Sequence, residues 1–304
     1  MPQPSKPKPL DNQAILVMSL LALQFGIQPI LTKRYTPPTV CKSTVILCQE
    51  VVKFALAAFM LHMSGGGKAA LDGWSVSTWI SVAGIPAALY AIQNISSLLA
   101  YQHLDALTFN VLNQTKTLSA ALCCYLVMGK SQSRQQIIAL FLLLLSALVM
   151  ERIVTLDWIL VLSDSAPKPV KLSLETRHVT HGVAPVLFAS FLSGLAGALS
   201  QKNLQNMGRN PYLFSMELCA ASSLILALSL LISPDGTTIR EQGFFGSDWN
   251  LQVFIPIVTN AIGGILVGLV TKYAGSVRKG FALIFGILLS GLLQSESVSN
   301  EQIV

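Results

Sequence analysis

Nine stretches of this chain are almost purely apolar: 13 to 32, 41 to 62, 79 to 101, 106 to 128, 135 to 155, 179 to 201, 211 to 233, 252 to 272 and 280 to 295. Each is long enough to cross, as a helix of roughly 20 residues, a hydrocarbon layer about 30 Å thick. Only 11% of the 304 residues are charged, whereas a soluble domain carries roughly a quarter. The mean hydropathy of +0.61 agrees with that deficit. The runs lack the alternation, over about ten residues, that barrel strands need. Helices are then the structure that satisfies every backbone polar group in lipid. The fold class that follows is an all-α, multi-pass membrane protein.

The opening MPQPSKPKP is polar and rich in proline, so residues 1–12 are expected to form a disordered tail. The first apolar run is too long for a signal-peptide core, and Lys33, Arg34 and two prolines follow it in place of a cleavage site. It is expected to stay as a span. Cys41, Cys48, Cys123, Cys124 and Cys219 show no metal-like spacing and read as small apolar packing residues. The sequons at Asn94 and Asn113 fall inside spans, out of reach of glycosylation.

The net charge of +6 invites a nucleic-acid reading. Yet the basic residues are scattered over almost every loop, with no stripe and no interleaved aromatics. With a cytosolic N-terminus, ten Lys and Arg fall on the cytosolic side and eight on the other, leaving Lys53 and Lys116 inside spans. That small bias favours the N-terminus inside.

The segment KSQSRQQII (130 to 138) has a counterpart in ESVSNEQIV (296 to 304), and each follows an apolar run. In the first copy these residues open the fifth span, so in the second they are expected to open a tenth. The domain reading is a tail (1–12), a first five-helix repeat (13–155), a connecting loop (156–178) and a second repeat (179–304) of four helices plus the start of a fifth. An odd number of helices per repeat inverts the second copy. Inverted repeats are a common transporter plan, with the ligand site between the halves near mid-membrane. Small residues at Gly264 and Gly268, Ser193 and Gly197, and Ala282, Gly286 and Ser290 are spaced for close helix packing.

A lysine at the centre of a span costs about 2.5 to 3.5 kcal/mol on insertion scales, so it normally meets a cavity, a partner or a ligand. Lys116 has Asn113 one turn earlier on the same face, and Asn110, Gln114 and Thr117 on the adjacent stripe. One cation among neutral amides suits an anion that also offers groups to hydrogen-bond. A salt bridge to Glu50 or Glu217 is the alternative. Glu50 and Lys53, at i and i+3, are expected to pair with each other. Lys272 ends the eighth span beside Tyr273, where snorkelling to the interface and a ligand contact are both open. For Glu217, isolated in FSMEL, a proton carrier, a ligand contact and a partner for Lys116 are all open. His178 and His181 have metal-like spacing but no third ligand. No cofactor, no metal and no catalytic motif is read from the chain, so it is not read as an enzyme.

YAIQN (90 to 94), LDALTFNVLNQTKTLSAAL (104 to 122), SGLAGALSQKNL (193 to 204) and KYAGSVRKGF (272 to 281) together make the chain resemble the nucleotide-sugar transporters. The subgroup is that of the CMP-sialic acid and UDP-galactose carriers within the drug/metabolite transporter superfamily. The resemblance is greatest to plant carriers of UDP-N-acetylglucosamine and UDP-N-acetylgalactosamine. It implies a ten-helix fold of two inverted five-helix repeats, here without the tenth helix. It also implies both termini in the cytosol, an endoplasmic reticulum or Golgi membrane, and exchange of a nucleotide sugar for a nucleoside monophosphate such as UMP.

In that pattern Lys116 and Lys272 contact phosphates, while Tyr90, Asn94 and Ser193 lie near the nucleotide. Two tyrosines common on the fourth span are Phe109 and Asn113 here. The arginine-asparagine-x-glutamine of the seventh span reads Phe214, Ser215, Met216, Glu217, and the acid-amide pair after Lys272-Tyr273 reads Gly275-Ser276. The substrate-binding set is therefore Lys116, Lys272, Tyr90, Asn94, Asn113, Phe109, Ser193, Ser215, Glu217 and Tyr273. The expected partners are the nucleotide sugar, the monophosphate and the lipid bilayer, with no nucleic acid and with self-association left open. The alternatives are a CMP-sialic acid or UDP-galactose carrier, a proton-coupled metabolite exporter using Glu217, and a non-transporting regulatory isoform.

Overall fold

Long apolar runs become helix throughout the described part of the chain, and no strand occurs among the described residues. The computed structural model describes residues 11–104, 106–150, 179–246 and 248–301. Most of the expected tail and all of the connecting loop at 156–178 lie outside them.

The longer helices are α1 (Asn12–Tyr35), α2 (Lys42–Met63), α3 (Val76–Tyr101), α4 (Ala106–Asn113), α5 (Thr115–Met128), α6 (Arg134–Met150), α7 (Ala184–Gln201), α8 (Pro211–Ser229), α9 (Pro234–Gln242), α10 (Phe254–Tyr273) and α11 (Ser276–Glu301). Seven described helices are long and apolar enough to cross a membrane. The fourth expected span is interrupted: α4 ends at Asn113 and α5 begins at Thr115. α11 runs on through Glu301, so the residues expected to open a tenth helix continue this one as far as they are described.

Local chemistry sets the ends. Asn210 caps α8 by accepting from the backbone N–H groups of Tyr212 and Leu213, with Pro211 at the first helical position. Wide π-type turns stand at Ile80–Gly84 inside α3 and at Lys202–Asn206 after α7. Such turns interrupt the regular ladder and free polar groups for other partners.

Contacts divide the chain into two compact units, Leu89–Ala198 in one and Pro9–Ala88 with Leu199–Val304 in the other. In the second unit α1 packs on α10 and α11, and α2 packs on α8 and α10. A Cβ added at Gly286 would stand 2.8 Å from the Ala22 carbonyl, so only glycine lets α11 lie this close to α1. In the first unit a Cβ on Gly194 would come within 2.5 Å of the Ser119 backbone, which fixes the approach of α7 to α5. Gly286, one of the small residues spaced for packing, thus serves that role. Large apolar side chains such as Leu16, Phe59, Leu98, Leu126, Phe141 and Phe285 remain uncovered, as expected of surfaces that face lipid.

Candidate functional site

In the first unit the interruption of the fourth span places the lysine. Thr115 Oγ1 donates to the Leu112 carbonyl at 2.6 Å, and the Thr117 N–H bonds three residues back to Gln114 O at 3.0 Å. The helix tightens there, a usual effect of hydroxyl and amide side chains that compete for backbone groups. Lys116 follows in the first turn of α5, half-buried, with half-buried Asn113 and Gln114 just before it. Thr117 behind it is buried.

Tyr90 is half-buried and Asn94, four residues on along α3, is exposed, so they share a helix face. Phe109 packs into an apolar cluster with Ala100, Leu104, Leu112 and Val186, its ring edge-on to Tyr101 at 5.1 Å. Ser193 is half-buried beside Gly194, the point where α7 touches α5.

In the second unit Lys272 lies in the last turn of α10, half-buried, with its ammonium 5.6 Å from the centroid of the exposed Tyr273 ring. Cation–π contact and a helix C-terminus both favour a positive charge there. Ser215 is buried on α8; its hydroxyl donates to the Pro211 carbonyl at 2.9 Å and stands against Gly268 of α10.

Glu217, 5% exposed, is held on several sides. Arg209 forms an ion pair with it, the Arg209 Nε–H reaches its second oxygen at 3.2 Å, and the Trp74 indole donates to it at 2.9 Å. Trp79 donates to the Glu217 carbonyl at 2.9 Å. The carboxylate therefore fastens the loop before α3 and the turn before α8 to α8 itself. Lys53 and Glu50 form the expected pair within α2 at 2.7 Å. The polar belt around them continues with Asn260 of α10, which donates to Gln49 at 2.8 Å.

Several polar residues in the second unit carry weight that sequence reading did not assign. Gln205 donates to the carbonyls of Thr271 and Lys272 at 2.9 and 2.8 Å, and Gln201 accepts from the Ser276 N–H at 2.7 Å. Asn203 donates to Val82 O at 2.9 Å. All three lie at the π-type turn that follows α7. Gln201 and Asn203 sit in a motif that carries the resemblance, but nothing in their spacing shows which backbone groups they meet.

A family model described as nucleotide-sugar transporter matches residues 10–299. The UDP-N-acetylglucosamine transporter ROCK1 of Arabidopsis thaliana is 36% identical over 288 residues, covering 95% of this chain and 85% of that protein. A UDP-N-acetylglucosamine/UDP-N-acetylgalactosamine transporter of Caenorhabditis elegans, nstp-4, is 28% identical over 295 residues, covering 92% and 83%. A chain of known crystal structure shares the fold with a TM-score of 0.60 at 14% identity, covering 93% of this chain and 88% of that one.

Proposed function

Because the chain belongs to the nucleotide-sugar transporter family, we propose that it carries a UDP-sugar, UDP-N-acetylglucosamine or UDP-N-acetylgalactosamine, into the endoplasmic reticulum or Golgi lumen in exchange for UMP. The N-terminus is cytosolic in this reading, and the spans belong to two inverted five-helix repeats.

The observation that carries the reading is Lys116, a cation within the fourth expected span, in the first turn of an apolar helix next to an interruption and flanked by neutral amides. A charge in that position is costly unless it serves a ligand pathway or meets a partner. An anionic phosphate is the ligand whose charge and acceptor oxygens suit an ammonium beside amides. Lys272 supplies the second positive charge, and its half-buried place at a helix end suits a group that binds and releases. Tyr90, Asn94, Asn113 and Ser193 supply hydrogen bonds to base and sugar, and Phe109, set in its apolar cluster, gives the nucleotide a fixed wall. Ser215 and Tyr273 complete the set, and Glu217 enters through Arg209, whose position it fixes.

Exchange rather than one-way passage follows if the carrier reorients readily only when its cationic groups hold an anionic nucleotide. Proteoliposomes preloaded with UMP, CMP, GMP or nothing, offered a panel of labelled nucleotide sugars, test this. Uptake of UDP-N-acetylhexosamine stimulated by UMP alone is the expected result. Uptake that ignores the lumenal nucleotide, or that follows an imposed proton gradient instead, would remove the antiport reading.

A further inference from the structure

Between α10 and α11 the chain reverses within two residues, Ala274 and Gly275. A helix end leaves carbonyls without intrahelical partners, and the next helix start leaves N–H groups in the same state. Here the Ala274 and Gly275 N–H groups both bond back to Val270 O, at 2.8 and 3.0 Å. The carbonyls of Thr271 and Lys272 are met instead from outside, by the two hydrogens of the Gln205 amide at 2.9 and 2.8 Å. The first N–H of α11, that of Ser276, is met from outside by Gln201 Oε1 at 2.7 Å.

The two glutamines are also bonded to each other, Gln201 Nε2 to Gln205 Oε1 at 2.9 Å. The amide groups therefore form one chain that runs from the start of α11, through both side chains, to the backbone of Lys272. Gly275 has a φ of +90°, and a Cβ there would stand 2.9 Å from the Gln201 amide. Glycine is required twice, for the backbone conformation and for the closeness of the glutamine.

We propose that Gln201 and Gln205 are positioning residues that cap α10 and α11 together and thereby fix where the Lys272 ammonium stands. A backbone held at its own carbonyl leaves the lysine only side-chain freedom to lose when it meets a phosphate, so part of the ordering cost is met before binding. Gln205 is the more important of the two, because it grips the Lys272 carbonyl itself. The clamp also ties Lys272 to the end of α7, so any movement of that end during transport is passed to the lysine's backbone. The proposal rests on the reading of Lys272 as a phosphate contact.

The test uses the full chain in UMP-loaded proteoliposomes, with UDP-N-acetylglucosamine as probe, and separates KM from maximal rate. Lys272→Met is measured first, and a raised KM is its expected result; an unchanged KM overturns the premise and the proposal with it. Given that rise, Gln205→Met, equal in length but without donors, is expected to raise KM about five- to tenfold with maximal rate within about twofold, the size of one or two lost hydrogen bonds. Gln201→Glu, which keeps the acceptor for Ser276, should lose less than Gln201→Leu.

Stabilisation of the detergent-solubilised protein by UMP, taken as the shift from each variant's own ligand-free melting temperature, gives a second readout and should shrink in Gln205→Met. If Lys272→Met raises KM but Gln205→Met leaves both KM and UMP stabilisation at the parent values, the clamp has no positioning role. If Gln205→Met lowers only the melting temperature, its role is structural and the proposal fails. Should Gln205→Met not fold, Gly275→Ala, which displaces Gln201, is expected to raise KM in the same way, and an unchanged KM there would overturn the proposal.

Discussion

Lys272 lies in the last turn of α10, where the helix dipole and the Tyr273 ring both accommodate a positive charge, whereas Lys116 lies within the fourth expected span, just past the point where that span tightens. Helix-end placement favours a cation by about 0.3 to 1 kcal/mol, while a mid-span lysine costs about 2.5 to 3.5 kcal/mol on insertion scales. The fold alone gives a reason for a lysine at 272. At 116 that helix-end placement is missing, and in the proposed reading a phosphate gives the lysine its use.

Breaking that contrast at its costly end has the largest expected effect. Lys116→Met should reduce UMP-driven uptake on the order of a thousandfold, the scale of losing one partner of a desolvated charge pair, while the yield of folded protein holds or rises. Next in size is Arg209→Met, which leaves Glu217 buried without its guanidinium and should cost about 3 kcal/mol of stability, read as a lowered melting temperature. The double variant Arg209→Met, Glu217→Leu should recover most of it, which would mark the pair as a fastening between segments.

Lys272→Met sharpens the comparison from its other side. One charge-assisted contact is lost at a site the fold already favours, so KM should rise about thirtyfold with little change in melting temperature. Smallest is Gly194→Val, which pushes α7 off α5 near Lys116 and should cost about 1 to 2 kcal/mol in thermal stability with a lesser fall in transport.

How much of this could be read from the residues depended on how local each interaction is. The Glu50–Lys53 pair was legible because three residues along a helix is a fixed distance. Arg209 and Glu217 are separated by a cap and the start of α8, and Trp74 reaches the same carboxylate from far away in sequence, so their meeting depends on packing. Seven of the nine expected spans coincide, to within a few residues, with described helices long and apolar enough to cross a membrane, and hydropathy alone found them. The interruption at Gln114 was not, since Thr115 turning its hydroxyl onto Leu112 is a choice between competing partners that hydropathy does not record. In the same way SGLAGALSQKNL marked the family, while the work of Gln201 could be seen only once Ser276 stood opposite it.

The measurement closest to the central claim is labelled UDP-N-acetylglucosamine uptake into UMP-loaded proteoliposomes, comparing the parent protein with Lys116→Met and Lys116→Arg at equal reconstituted amounts. Loss of exchange in the methionine variant and partial retention in the arginine variant is what a phosphate-binding cation requires. Exchange at the parent rate and parent KM in Lys116→Met would contradict it.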